Sequence, residues 1–196
     1  MDIIEFGKRP RRSHIFERDR DDFYSEPEWC SRRLFEVEEF TGLIWDPCAG
    51  LGTIVRSARA AKLSNFASDI ADHGYGVRQD FLTAPAPTIA GLFNVVCNAP
   101  FALAHEFVER ALALGAAKVA IIFPTARLNA ARWWLEPLPL ARVWLLTPRP
   151  SMPPGVVILR GEKPGGGKTD FAWLVFDRAH NGPPALGWLY RDGGKP

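Results

Sequence analysis

The sequence predicts an α/β protein: a doubly wound, mostly parallel sheet with an antiparallel C-terminal strand, folded as a single domain. Three observations carry that expectation. Short apolar runs alternate with helix-length amphipathic segments between residues 26 and 147, the pattern of crossover units that pair strands in parallel and cover both sheet faces. The first apolar run ends in "DPCAGLGTI" (46–54), an acid and two glycines at a strand-to-helix turn, which is where ligands bind in such sheets. Finally, 196 residues at 47% hydrophobic content suffice for one sizeable core.

Taken in order, residues 1–22 are polar and charge-rich and read as a flexible leader, with Lys8, Arg9, Arg11 and Arg12 in "GKRPRR". "SEPEWCSRRLFEVEEF" has Ser25 and Pro27 ahead of Trp29, Arg33, Leu34 and Val37 at helical spacing, which predicts a capped helix over 26–40. "GLIWD" (42–46) is a buried strand, and Ala-rich "LGTIVRSARAAKL" (51–63) a helix with Ile54, Val55 and Ala58 inward. "NFASD" (65–69) and "GVRQDFL" (76–82) are the next strands, followed by "LFNVVCN" (92–98), a β-branched run too short for a helix. "FALAHEFVERALAL" (101–114) is a helix, "KVAIIFP" (118–124) a strand, 127–136 a helix and "ARVWLLT" (141–147) a strand. The Pro- and Gly-dense stretch 148–168 exceeds an ordinary connection and reads as a functional or mobile loop. "TDFAWLVFD" (169–177) resumes as a strand, antiparallel at the far side of the sheet, and 178–196 reads as an irregular tail.

Composition narrows the classes. A net charge of +2 neither demands nor excludes a polyanionic partner. Cys30, Cys48 and Cys97 are odd in number and lack C-x-x-C spacing, which argues against disulfides and zinc and fits a reducing cytoplasm. His14, His73, His105 and His180 are scattered, so no metal is expected. No apolar run approaches a membrane span, and no signal-like apolar segment follows the charged start. "GGGKT" (165–169) fails as a phosphate loop, because Glu162 stands where its first glycine should be.

The turn at 46–54 favours another ligand. Gly50 and Gly52 let the backbone approach it, but the third glycine of a dinucleotide fingerprint is missing, and the acid Asp46 suits an ammonium group rather than phosphates. Asp69 ends the second strand, where a carboxylate accepts hydrogen bonds from both hydroxyls of a ribose. A nucleoside with an ammonium group and no phosphates is S-adenosylmethionine. "CNAPF" (97–101) then offers two acceptors for an exocyclic amine, the Asn98 side-chain oxygen and a backbone carbonyl near Ala99 or Pro100, with Phe101 to stack on an extruded base.

With these residues, the stretch 23–177 resembles the Rossmann-like class I S-adenosylmethionine-dependent methyltransferases. Within them it resembles the adenine-N6 DNA methyltransferases, especially small phage and prophage versions. "DPCAGLG" is similar to that family's D/E-P-x-x-G-x-G segment, and "FYSEPEW" (23–29) to its upstream segment, usually containing Thr-Pro. "CNAPF" stands where the family has Asn/Asp-Pro-Pro-Tyr/Phe, with Ala99 replacing the first proline. "GGGKTDFAW" also resembles phage members, without an assignable role. The resemblance implies S-adenosylmethionine as cofactor, with S-adenosylhomocysteine as product. It implies cofactor contacts at Ser25, Pro27, Asp46, Pro47, Cys48, Ala49, Gly50, Gly52, Asp69, Ile70, Asp80, Phe81 and Asn98, and catalysis at Asn98, Ala99, Pro100 and Phe101.

The expected acceptor is nucleic acid, DNA first. RNA, a protein glutamine amide and a catalytically silent nucleoside- or nucleic-acid-binding module stay open. No insertion separates the cofactor turn from "NAPF" and no recognition domain is apparent, so weak sequence specificity is expected, or a partner protein that supplies it. Arg127, Arg132, Arg142, Arg149 and Arg160 are candidate phosphate contacts. Trp133, Trp134 and Trp144 are expected in the core, with the lining of a base-binding cleft as the alternative.

Overall fold

The computed structural model describes residues 23–85, 88, 91–162 and 165–193. The expected leader, with its basic run and His14, lies outside the described residues. In chain order the elements are α1 (Glu28–Val37), β1 (Leu43–Asp46), α2 (Thr53–Ala60), β2 (Asn65–Asp69), β3 (Val77–Arg78), β4 (Phe93–Cys97), α3 (Ala104–Ala113) and β5 (Lys118–Pro124). A 3-10 turn (Thr125–Arg127), α4 (Arg132–Leu135), β6 (Leu140–Thr147), α5 (Gly155–Leu159), β7 (Phe171–Asp177) and β8 (Ala185–Tyr190) complete them.

The strands form one sheet in the order β3-β2-β1-β4-β5-β7-β6-β8. Strands β1 to β5 pair in parallel, as do β6 and β8, and β7 runs antiparallel to both its neighbours. The strand order turns back between β1 and β4, so the carboxyl ends of β1, β2 and β4 open a crevice there, carrying Asp46, Asp69 and Cys97.

Alternation along the central strands builds a core on each face. Val95, Cys97, Val119, Ile121, Leu174 and Phe176 pack with α3 and Trp134 on one side. Val96, Ala120, Ile122, Trp173 and Val175 pack with Leu34 of α1 and with Ile54 and Ala58 of α2 on the other. Strands buried on both faces read as unbroken apolar runs, which "FNVVC" and "KVAIIFP" are. Buried tryptophan and serine side chains find partners: Trp173 Nε1 donates to the Cys30 carbonyl at 2.9 Å, Trp45 Nε1 to Ser68 Oγ at 2.8 Å, and Ser31 Oγ to Ser57 Oγ at 2.8 Å across α1 and α2.

Several expectations are corrected. β7 does not sit at the far side of the sheet. It inserts between β5 and β6, because its residues are apolar on both faces and all but Asp177 are buried. The tail is not wholly irregular: β8 pairs with β6 over six positions and forms the edge, so the sheet continues past 177. α1 starts from Pro27 without a side-chain cap. The helix expected over 127–136 breaks into a 3-10 turn and the four-residue α4. Of the three tryptophans, Trp134 is buried, Trp144 is half-buried with Nε1 donating to Glu38 at 2.7 Å, and Trp133 is 66% exposed.

Candidate active site

The turn after β1 is shaped by the chain itself. Asp46, 1% exposed, accepts the Cys48 N–H at 3.1 Å through Oδ1, and this bond from side chain to backbone two residues on closes the turn. Gly50 and Gly52 have φ of 48° and 77°, the left-handed region that disfavours a Cβ. A Cβ at Gly50 would lie 2.9 Å from the Phe23 ring, and one at Gly52 2.6 Å from the Tyr75 ring. What stands where a Cβ at these glycines would point is aromatic side chains of the same chain. Asp69 then locks the turn to β2. Its Oδ2 accepts the Gly50 N–H at 2.9 Å and its Oδ1 the Ala71 N–H at 3.0 Å.

A cavity of about 270 Å³ opens over this turn. Of the cofactor residues expected from the sequence, Ser25, Pro47, Cys48, Ala49, Gly50, Asp69, Ile70, Asp80, Phe81 and Asn98 line it, as does Pro100. Pro27, Asp46, Gly52, Ala99 and Phe101 are not among its lining residues. Pro27 instead starts α1, Asp46 is buried behind the wall, Gly52 faces Tyr75, and Ala99 packs into the core. Phe101 lies 5.6 Å from the Phe171 ring in a neighbouring cavity. Asp80 spends part of its acceptor capacity on its own turn, taking the Leu82 N–H at 3.0 Å and the Thr83 hydroxyl at 2.9 Å.

Beside Asp69 and Asp80 the wall carries a third acid, Glu26, 7% exposed. In the sequence, Ser25, Glu26 and Pro27 hold the places of the resembled family's upstream Thr-Pro segment, with no acid chemistry expected of Glu26. Burial pushes its carboxyl up to about 7, against the opposing pull of its own backbone N–H, the Asn98 amide and Arg56. Asp46 is also pushed well above its ordinary value, by burial first and then by the charges of Glu26 and Asp69, with the Cys48 N–H opposing. Glu26, Asp69 and Asp80 thus line one cavity with Asp46 buried behind them, and such a group favours a cationic ligand. The Cys48 thiol is pushed up by its hydrogen bond to Cys97 and by burial, and all three cysteines are free thiols.

Asn98 is held in a single orientation. Its Nδ2 donates to the Tyr24 carbonyl at 3.0 Å and to Glu26 Oε2 at 3.0 Å. A backbone carbonyl accepts only, which fixes which end of the amide is nitrogen. Both N–H groups are therefore used within the chain, while no described group donates to Oδ1, the amide's acceptor beside the cavity.

The segment 23–25 reaches this position by pairing with the 148–168 loop. Ser25 N donates to the Pro153 carbonyl at 3.1 Å and Gly155 N to the Phe23 carbonyl at 2.8 Å, with Tyr24 bridged to Pro154. Phe23 stacks on His73 with centroids 3.8 Å apart at 8°, over the same cavity. Sequence reasoning missed both rings. The signal available was the bare Gly50, whose neighbour could not be identified from the sequence.

The arginines separate. Arg142 pairs with the buried Glu38 and lies 3.6 Å from Asp177, so it holds the fold together and is unavailable to a phosphate. Arg132 pairs with Glu136 at 3.1 Å and Arg149 bidentately with Asp170 at 2.6 and 2.9 Å, both on the surface.

No protein-family model and no curated protein matches the chain in sequence. Solved structures do resemble it. The 23S rRNA methyltransferase ErmE is 18% identical, with 81% of this chain and 70% of that one covered at a TM-score of 0.51. A putative RNA methyltransferase from Pyrococcus horikoshii is 13% identical, with 76% and 81% covered at 0.54. A SAM-dependent methyltransferase from Archaeoglobus fulgidus is 12% identical, with 77% and 92% covered at 0.50. The chain has the Rossmann-like fold of S-adenosylmethionine-dependent methyltransferases.

Proposed function

We propose that the protein is an S-adenosylmethionine-dependent N-methyltransferase acting on N6 of adenine in nucleic acid. The observation that carries the reading is the orientation of Asn98, whose Oδ1 is left as an acceptor at the end of β4. An exocyclic amine is a weak nucleophile because its lone pair is delocalised into the ring. Accepting its hydrogens at Asn98 Oδ1 and at a carbonyl of residues 99–100 draws the nitrogen toward tetrahedral geometry.

Glu26, Asp69, Ile70, Asp80 and Phe81 all line the cavity. On this reading Glu26 takes the ammonium group of the cofactor, Asp69 the ribose hydroxyls, and Asp80, Phe81 and Ile70 the adenine. Bound there, S-adenosylmethionine would supply an electrophilic methyl group. The chain's own part is placement, so positioning and a fixed acceptor account for most of the rate, with no strong base needed.

DNA is the acceptor favoured by the resemblance in sequence. RNA is the second reading, favoured by the likeness in fold to a 23S rRNA methyltransferase. The test is transfer of labelled methyl from S-adenosylmethionine to unmethylated duplex DNA, single-stranded DNA, bulk RNA and a glutamine peptide, followed by nucleoside and amino-acid analysis. Label in N6-methyladenine is expected, and the pool that carries it decides between DNA and RNA. Label in methylglutamine alone, or in no pool while the cofactor binds, would overturn the proposal.

A further inference from the structure

Glu26 joins the two halves of the candidate site. It lines the cavity, and its Oε2 accepts the Asn98 N–H at 3.0 Å. With Oε2 engaged there, Oε1 is left either to carry a proton or to accept from a cation, and it cannot do both. The charges around it do not balance. Asp46, buried after β1, lies close enough for its charge and that of Glu26 to oppose each other, and Asp69 at the end of β2 adds to the same field. Cys30 of α1 gives no compensation, since its thiol is pushed up by burial and then by Glu26. The cation that acts on Glu26 is Arg56 of α2, which is exposed and has its guanidinium engaged by the Leu51 carbonyl and, at 3.4 Å, by Thr53 Oγ1. One exposed guanidinium does not offset two buried carboxylates, so Glu26 stays neutral until a second cation reaches it.

From this arrangement we infer that Glu26 is a positioning residue that links the cofactor to the acceptor: arrival of the cofactor's ammonium group expels a proton from Glu26 to solvent, and the carboxylate so formed tightens its hold on Asn98. The inference rests on reading the cavity as the cofactor's and Asn98 Oδ1 as the acceptor for the amine. A neutral carboxyl and an ammonium group become a carboxylate paired with that ammonium, and the released proton passes to the buffer. A charged acceptor makes a stronger hydrogen bond than a neutral one. The Tyr24 carbonyl holds the other Nδ2 hydrogen whatever the charge of Glu26, so the amide does not flip. The change falls on polarisation instead: with Nδ2 bonded to a carboxylate, Oδ1 gains strength as an acceptor. The acceptor for the amine is therefore complete only when the methyl donor is in place.

Calorimetry of S-adenosylmethionine binding to the full chain, in two buffers of different ionisation enthalpy, counts the protons released. An α-amino group titrates near 7.7–8.0, so at about pH 6 the free cofactor is already an ammonium and any proton released comes from the protein. Burial holds the Glu26 carboxyl up at about 7. Release of nearly a full proton is therefore expected at about pH 6, with cofactor affinity rising several-fold per pH unit below neutrality. Glu26→Gln should release none and lose that rise, while Asp46→Asn should still release it. Methyl transfer at saturating cofactor reads the second half of the link. Glu26→Gln keeps an oxygen for the Asn98 N–H and Glu26→Ala does not, so the alanine variant should transfer about tenfold more slowly than the glutamine one, the size of one hydrogen bond.

Cofactor binding without proton release would overturn the inference and leave the methyltransferase reading standing. Release that persists in Glu26→Gln would also overturn it, since the proton would then come from Asp46 or from His73, which lines the same cavity. If Glu26→Gln binds too weakly to titrate, undiminished release in Asp46→Asn and His73→Gln supports Glu26, and loss of release in either overturns the assignment. Equal transfer by the glutamine and alanine variants would remove the positioning role. Release that depends on Glu26, with no methyl transfer to any acceptor, would support the link to the cofactor and overturn the proposed reaction instead. A chain that binds no cofactor would overturn both.

Discussion

At the scale of single residues, the site turns on Asn98 and Glu26, which hold each other. Glu26 keeps its proton up to about pH 7 in the folded chain, while the unfolded carboxyl releases it near 4.5. Between those values the unfolded state binds fewer protons, so folding stability falls as pH rises through that window. Across that window the loss amounts to roughly 3 kcal/mol. Glu26→Gln removes the titration and should flatten the decline in urea-unfolding free energy between pH 4.5 and 8. Parallel curves for variant and wild type would contradict the shift. Asn98 and its neighbours could be singled out in the sequence because "CNAPF" ends a β-branched run where the resembled family has Asn/Asp-Pro-Pro-Tyr/Phe. The role of Glu26 was not, because its burial depends on the 23–25 segment pairing with residues 153–155, a contact of long sequence separation.

Elements show where local pattern decides structure and where partners do. β1, β2, β4 and β5 lie within the ranges expected, since unbroken apolar runs bounded by turn residues leave no competing conformation. The turn between β1 and α2 is specified by Asp46, Gly50 and Gly52 together. Gly52→Ala must accept a φ of 77° and a Cβ 2.6 Å from the Tyr75 ring. A loss of about 1–3 kcal/mol in chemical unfolding is expected. Tyr75→Ala in the same chain should recover the steric part and leave the backbone part, and no recovery would show that the ring is not what meets Gly52. β7 and β8 were misplaced for a different reason. A strand's neighbour in a sheet is chosen by tertiary pairing, and no residue within "FAWLVF" says which two strands will flank it.

The whole molecule is a sheet whose first half carries the candidate chemistry and whose second half positions the loop that completes it. β8 closes the edge over β6 through six registered pairs, from Arg142 with Ala185 to Thr147 with Tyr190. A chain ending before Ala185 should unfold at lower temperature and scatter light on standing, because β6 becomes an exposed edge. An unchanged midpoint would mean that β8 is dispensable. Within the intact chain, no described helix is long and apolar enough to cross a membrane. The central claim is that Asn98 presents a fixed acceptor to the amine being methylated. It is tested most directly by single-turnover methyl transfer to adenine with wild type and Asn98→Ala, measured beside S-adenosylmethionine affinity. The account predicts a loss of about a hundredfold or more in transfer, with cofactor affinity changed only a few-fold. Transfer by Asn98→Ala at the wild-type rate would contradict it.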